Sequence, residues 1–173
     1  MLEAILGMIL RPATREEIDR LKGIADYQFG YPAGDLLIPE DVVVGISPAT
    51  RRIREVYGKE GLLAVIRAHD YLFSLSVSGA LRLLKLPEPR LRAWIATGAG
   101  ELRKSIPCWI VKRLDPELLA GDEVIVLNEN GLLIGVGRLR LAPEEILEEE
   151  CWGEAIRIRK FAEQGTADRG EVQ

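Results

Sequence analysis

Gly121-Asp122-Glu123-Val124-Ile125-Val126-Leu127-Asn128-Glu129-Asn130-Gly131 runs directly into Leu132-Leu133-Ile134-Gly135-Val136-Gly137-Arg138-Leu139-Arg140-Leu141. Two β-rich apolar runs flank a polar turn, and Asn130-Gly131 supplies the positive φ that a tight turn needs. The stretch therefore predicts an antiparallel hairpin. A hairpin of this kind occurs in many barrels and names no ligand, so its neighbours must say what it belongs to.

Reading outward, Leu91 to Ala96 alternates as a strand, Thr97 to Lys104 predicts a short helix or helical turn, and Cys108 to Arg113 predicts another strand. After the hairpin, Ala142-Pro143-Glu144-Glu145 has proline at the first helical position and acids where the helix dipole favours them. Gly153 to Phe161 reads as the last strand, and Ala162 to Gln173 holds too little apolar content to pack.

Upstream, Thr14 and Glu17 form a capping-box pattern ahead of Ile18, Leu21 and Ala25, predicting a helix to about Tyr27 that Gly30 and Pro32 end. A polar, turn-rich stretch over Gly34 to Asp41 precedes a strand over Val42 to Ile46. Strands at about Arg52–Tyr57 and Leu62–Arg67 flank Gly58-Lys59-Glu60-Gly61 as a hairpin, and Tyr71 to Leu75 adds a fourth strand. Ser76 or Ser78 then caps a short helix through Leu84. Two prolines in Lys85-Leu86-Pro87-Glu88-Pro89-Arg90 place a boundary near residue 88. The expectation is an α+β chain: an N-terminal α/β module with a small antiparallel sheet at 1–88, a β domain at 89–161 and a tail at 162–173.

The 173 residues are 47% hydrophobic, enough for one substantial core or two small ones. No apolar run approaches the ~20 residues that span a bilayer, and Met1 to Leu10 lacks a basic leader region, so a cytoplasmic protein without membrane contact is expected. In that setting a disulfide between the distant Cys108 and Cys151 is not expected. With His69 they form no zinc spacing, and neither metal nor cofactor is called for. His69-Asp70 lacks a placed nucleophile, and Asp70 fits a turn better. A net charge of −4 argues against a general polyanion binder. Much of the acid is local, however, at Glu144 to Glu150, and recurring basic pairs leave room for a basic face.

The order Gly-Asp, strand, Asn-Glu-Asn-Gly, strand, Gly-x-Gly-Arg resembles the signature hairpin of PUA domains, small pseudo-barrels that bind structured RNA. The element order from Arg90 to Phe161 is that of the same family. In the N-terminal half, Ala25-Asp26-Tyr27-Gln28-Phe29-Gly30, Ala33-Gly34, Ser47, Arg51-x-x-Arg54-Glu55-Val56-Tyr57 and Arg67-Ala68-x-Asp70-x-x-Phe73-x-Leu75-x-x-x-Gly79-Ala80 resemble the pre-PUA accessory module of archaeal tRNA-guanine transglycosylases. Those enzymes add a large catalytic domain for which this length leaves no room. The resemblance thus implies a non-catalytic RNA-binding protein, docking a tRNA stem and 3′ end or an rRNA helix. The alternative is a targeting or assembly subunit for a separate tRNA-modifying enzyme or for ribosome biogenesis, with Leu36-Leu37-Ile38 or Ile5 to Leu10 meeting a catalytic partner.

The resemblance also implies an RNA face built from Gly98, Gly100, Arg103, Lys104, Ser105, Pro107, Trp109, Arg157, Arg159 and Lys160. Strand alternation puts Arg157 and Arg159 on one face with Ile156 and Ile158 behind, within reach of adjacent phosphates; exposed Arg-x-Arg pairs are also often merely solvated. Gly98 and Gly100 at a helix start would present N–H groups to a phosphate, or simply make a sharp turn. Where the family has a glycine after its first helix, this chain has Arg103-Lys104-Ser105, which would supply charge instead. Trp109 is open between stacking on a base and packing, whereas Trp94 and Trp152 read as packing residues. Arg51, Arg52 and Arg54 either extend a basic surface or pair with Glu55 and Glu60, and Arg138 and Arg140 flank the face.

Overall fold

The computed structural model describes residues 7–98 and 100–163. Ile5 and Leu6 of the N-terminal apolar stripe, Ala99, and the tail from residue 164 onward lie outside the described residues. The chain divides between Leu86 and Pro87 into two compact units.

In the first unit, strand β1 (Ile9–Pro12) leads into helix α1 (Arg15–Phe29) through the capping box. Thr14 Oγ1 accepts from the Glu17 N–H at 3.2 Å, and Glu17 Oε1 accepts from the Thr14 N–H at 2.8 Å. Gly30, at φ 87, ends the helix. The turn-rich stretch that follows contains a helix the sequence did not announce, α2 (Ala33–Leu37). Tertiary contacts hold it rather than propensity: Asp26 Oδ1 accepts from the Gly34 N–H at 2.7 Å. A Cβ on Gly34 would also sit 2.5 Å from the Lys22 carbonyl oxygen. Leu37 and Ile38 of the Leu36-Leu37-Ile38 stretch expected to meet a partner are fully buried in the core, and Leu36 is half-buried.

Strands β2 (Val43–Ile46), β3 (Ile53–Gly58), β4 (Gly61–Ile66) and β5 (Phe73–Leu75) follow, and with β1 they form an antiparallel sheet in chain order. Gln28 of α1 completes β5, donating to the Phe73 carbonyl at 2.9 Å and accepting from the Phe73 N–H at 2.7 Å. Helix α3 (Val77–Leu83) is capped by Ser76, whose Oγ accepts from the Gly79 N–H at 3.1 Å. Its Gly79 lies on β4 so closely that a Cβ would meet the Leu63 carbonyl oxygen at 2.1 Å. Leu21, Leu37, Leu63, Phe73 and Leu83 fill the space between helices and sheet, each contributing roughly 1.5–3 kcal/mol by leaving water.

In the second unit, β6 (Arg92–Ile95), β7 (Ser105–Pro107), β8 (Val111–Leu114), β9 (Glu123–Asn128), β10 (Leu133–Leu139) and β11 (Glu154–Phe161) form one sheet. Their order is β7-β11-β10-β9-β6-β8, with β6 parallel to β9 and the other pairs antiparallel. The two edge strands, β7 and β8, are sequence neighbours joined by a single 3-10 turn at Cys108–Ile110. That connection curls the sheet into the pseudo-barrel that the hairpin resemblance implied. The hairpin itself is β9–β10, with Gly131 at φ 82 and Asn128 Oδ1 accepting from the N–H groups of Asn130 and Leu132, both at 2.9 Å. One short helix, α4 (Pro143–Ile146), begins at Pro143 as its sequence predicts. No helix among the described residues is long and apolar enough to cross a membrane.

The expected strand from Cys108 to Arg113 is therefore not continuous. Its first part, Cys108–Ile110, is the 3-10 turn that follows β7, and only its last part, in β8, joins the sheet by pairing with β6. Cys108 and Cys151 are joined as a disulfide, correcting the sequence expectation. The cause is register: β7 against β11 sets Pro107 opposite Glu154, and the Cys108 N–H donates to the Gly153 carbonyl at 3.0 Å. The two Cα atoms consequently lie 5.8 Å apart across 43 residues of chain.

Candidate nucleic-acid interface

The segment between β6 and β7 is pinned at both ends. Glu129, from the tip of the β9–β10 hairpin, accepts from the Thr97 N–H at 2.8 Å and from its hydroxyl at 3.0 Å. A hydrogen bond from its own backbone N–H, joined by these two from Thr97, holds the Glu129 carboxyl below its usual range. At the other end, the Lys104 carbonyl accepts from the Ile158 N–H at 2.8 Å. Pinned in this way, and with Gly98 and Gly100 disfavouring helix, the described residues from Thr97 to Lys104 make an irregular loop. Among the described residues the expected helical turn is absent, and with it any helix N-terminus for a phosphate.

This loop and the 3-10 turn bound an open groove of about 580 Å³. Gly98, Gly100, Arg103, Ser105, Pro107 and Trp109 all line it, so six residues nominated from the sequence share one concavity. The sequence reading missed its apolar lining, Leu102, Ile106 and Ile110. Their signal was the alternation running through Leu102 to Ile110, obscured because the chain changes from loop to strand to 3-10 turn within nine residues. Trp109 is 72% exposed, and its indole stands at the groove. Lys104 is exposed beside the loop but does not line the groove.

Trp94 packs as expected, buried with the Arg113 guanidinium 4.1 Å above its ring. Trp152, read from sequence as a packing residue, is instead 90% exposed. The Cys108–Cys151 link and the register of β11 leave the residue between Cys151 and Gly153 on the surface.

Strand β11 borders β7, with Arg157 opposite Ser105. Arg157 and Arg159 face solvent while Ile156 and Ile158 are buried. A bulge modifies the alternation: Val136 pairs with Lys160 and the adjacent Gly137 with Ile158, leaving Arg159 as the extra residue. Arg159 and Lys160 are both exposed as a result. The glycines of the Gly-x-Gly-Arg signature make this crossing possible. A Cβ at Gly137 would lie 2.0 Å from the Arg157 carbonyl oxygen, and one at Gly135 would lie 2.6 Å from that of Lys160.

The arginines here are less available than their spacing suggests. Glu123, buried on β9, receives a forked contact from Arg159 at 2.5 and 3.2 Å and lies 3.8 Å from Arg138. Glu154 lies 3.2 Å from Arg157 and 3.6 Å from Arg140. Two glutamates thus offset part of the charge of Arg138, Arg140, Arg157 and Arg159. Arg103, Lys104 and Lys160 form no ion pair among the described residues.

In the first unit, Arg51, Arg52 and Arg54 do not pair with Glu55 or Glu60 in the way considered from sequence. Glu60 is bound by Arg82, and Glu55 accepts from the Tyr57 hydroxyl. The Arg52 and Arg54 guanidinium groups instead sit 5.2 and 6.0 Å from the centre of the Tyr71 ring. Asp70 makes the turn expected of it, accepting from the Leu72 N–H at 3.0 Å.

Residues 19–89 match the patch-forming domain C2 of tRNA-guanine transglycosylase, and residues 93–162 match the PUA domain. The chain is 33% identical over 151 residues to the tRNA-guanine(15) transglycosylase of Methanothermobacter thermautotrophicus, covering 85% of this chain and 23% of that protein. Against the enzyme of the same name from Pyrococcus furiosus, identity is 31% over 160 residues, covering 90% and 27%. The chain spans about a quarter of the length of the curated relatives it matches. Among solved structures, a hypothetical protein of Pyrococcus horikoshii OT3 shares its fold at TM-score 0.65 and 15% identity, covering 92% of this chain and 98% of that one. A conserved PUA domain protein from Thermoplasma acidophilum does so at TM-score 0.58 and 15% identity, with the same coverage. The chain therefore pairs a C2 domain of the tRNA-guanine transglycosylase type with a PUA domain, and is homologous to the C-terminal region of archaeal tRNA-guanine(15) transglycosylases.

Proposed function

We propose that the chain is a non-catalytic RNA-binding module that docks structured RNA in the cytoplasm, gripping a tRNA stem with its 3′ end or an rRNA helix. The observation that carries this reading is the groove beside β7. Its apolar lining and exposed Trp109 offer a stacking surface to an unpaired nucleotide, and Arg103 offers a cation to its phosphate. Lys104, Arg157 and Lys160 continue the charge beside it. Arg159 and Arg138 serve mainly to hold the buried Glu123, so they shape β11 more than they touch RNA. Arg140 and the arginines of the first unit are outer contacts. The match to the accessory C2 and PUA regions supports a role in positioning RNA.

Because the contacts are cation-to-phosphate, affinity for tRNA should fall steeply with salt. The test measures binding of a tRNA transcript across salt concentrations for the unaltered chain, Arg103→Ala and Arg157→Ala. Each change should weaken binding and lower the salt slope by about one. Unchanged affinity and slope in both variants would sink the site. A second reading, a targeting subunit for a separate tRNA-modifying enzyme, draws on the same comparison. It predicts co-purification with a catalytic chain that depends on neither Arg103 nor Arg157.

A further inference from the structure

The first unit contains a cavity of about 310 Å³ where one end of the sheet meets α1. Two connections form its rim, and they are built alike. In the β2–β3 turn, the Ser47 N–H donates to the Arg52 carbonyl at 2.9 Å and the Arg51 N–H to the Ser47 carbonyl at 2.8 Å. In the β4–β5 turn, the Arg67 N–H donates to the Leu72 carbonyl at 2.9 Å and the Tyr71 N–H to the Arg67 carbonyl at 3.1 Å. The fifth residue of each turn adopts the left-handed region, Arg51 at φ 60 and Tyr71 at φ 59.

Glycine or asparagine fits that position without strain, whereas a bulky side chain there is an outlier. Here both turns place a large functional side chain at it, and both side chains line the same cavity. Such outliers concentrate at ligand sites because the function requires the side chain that the backbone disfavours.

The lining has a defined chemistry. Arg51, Arg52 and Arg20 line it; Arg20 is paired with Glu16 at 3.2 Å, whereas Arg51 has no ion-pair partner among the described residues. Buried Leu21 and Ile66 line it as well, and half-exposed Tyr71 adds an aromatic ring. One acid, Glu17, is already neutralised: Arg11 forks it at 2.7 and 2.8 Å, and the Thr14 N–H also donates to its Oε1. The Arg11 contact pulls its carboxyl down to about 2, so it stays an acceptor at neutral pH.

We infer that this cavity binds a single nucleotide, its phosphate between Arg51 and Arg52 and its base against Tyr71 and the apolar lining. The volume suits one such group at the small end of ligand pockets. The inference is independent of the groove in the second unit, and either can fail without the other.

The test is calorimetric titration of the full chain with adenosine 5′-monophosphate, adenosine, inorganic phosphate and a short single-stranded oligoadenylate. Saturable binding of the mononucleotide, at least ten-fold tighter than adenosine or phosphate, supports the site. Tighter binding of the oligonucleotide then assigns the nucleotide to an RNA strand, and weaker binding assigns it to a free mononucleotide. Arg51→Gly and Tyr71→Asn should each reduce affinity at least ten-fold. Arg51→Gly should do so with an unchanged or higher urea midpoint, since it relieves backbone strain, a combination that a purely structural arginine would not give. Failure of both mononucleotide and oligonucleotide to bind overturns the inference. So does phosphate binding as tightly as the mononucleotide, or full affinity in both variants.

Discussion

The two units share a structural device and differ in how they display charge. Each contains a glycine pressed against a carbonyl oxygen: Gly79 of α3 against Leu63, and Gly137 of β10 against Arg157. In the first unit the contact seats a helix on a sheet, and the cations gather around a cavity with an aromatic ring. In the second it lets two strands cross at a bulge, and the cations spread along a strand beside an open groove. The scaffold in both cases depends on the absence of a side chain, whereas the binding chemistry depends on side chains that the scaffold leaves outside.

The largest effects should come from the shared device. Gly79→Ala and Gly137→Ala each force a Cβ to within about 2 Å of backbone oxygen, which should cost about 3 kcal/mol in urea unfolding. A loss below 0.5 kcal/mol in either would break the parallel. Next comes Arg159→Ala. It removes the forked partner of buried Glu123 while leaving Arg138 nearby, for an expected loss of about 2 kcal/mol. The neighbouring exposed Arg157→Ala should leave stability within about 0.5 kcal/mol, which would separate a scaffold arginine from a surface one.

Trp109→Ala should lower affinity for tRNA about ten-fold without altering the unfolding midpoint, because the ring is exposed. Equal affinity would show that the groove is not used. The last comparison concerns the first unit's capping box, and it is read as a pH dependence. Glu17 titrates at about 2 when folded against an ordinary 4.5, so its contribution is complete above pH 4.5 and is lost as pH falls through 2. The stability difference between the unaltered chain and Glu17→Gln should therefore be constant from pH 7 to 5 and shrink below about 4.5. A difference that persists at pH 2 would show that packing, not the carboxylate, carries the effect.

Much of this architecture was legible in local chemistry. The capping box at Thr14 and Glu17, the Asn130-Gly131 turn and the proline-started α4 all form as their residues prescribe, since each depends on contacts within a few residues. Helix α2 and the loop from Thr97 to Lys104 were misread for one reason. Asp26 and Lys22 stabilise the first, and Glu129 and Ile158 extend the second, and none of these is a sequence neighbour.

The site shows the same division. Six residues nominated for an RNA face line one groove, and spacing correctly turned Arg157 and Arg159 outward. Spacing could not reveal that Glu123 holds Arg159, that the bulge turns Lys160 outward as well, or that Trp152 is exposed. Nor could it reveal that Cys108 meets Cys151.

By itself, then, the sequence determined the elements, their order, and the alternation of faces, because these follow from turn chemistry, capping and apolar period acting over short distances. Tertiary structure alone decided which charges are spent on one another, which aromatic rings remain exposed, and where a cavity opens between two turns and a helix. Those outcomes depend on strand register and close backbone approach, which bring together side chains separated by tens of residues.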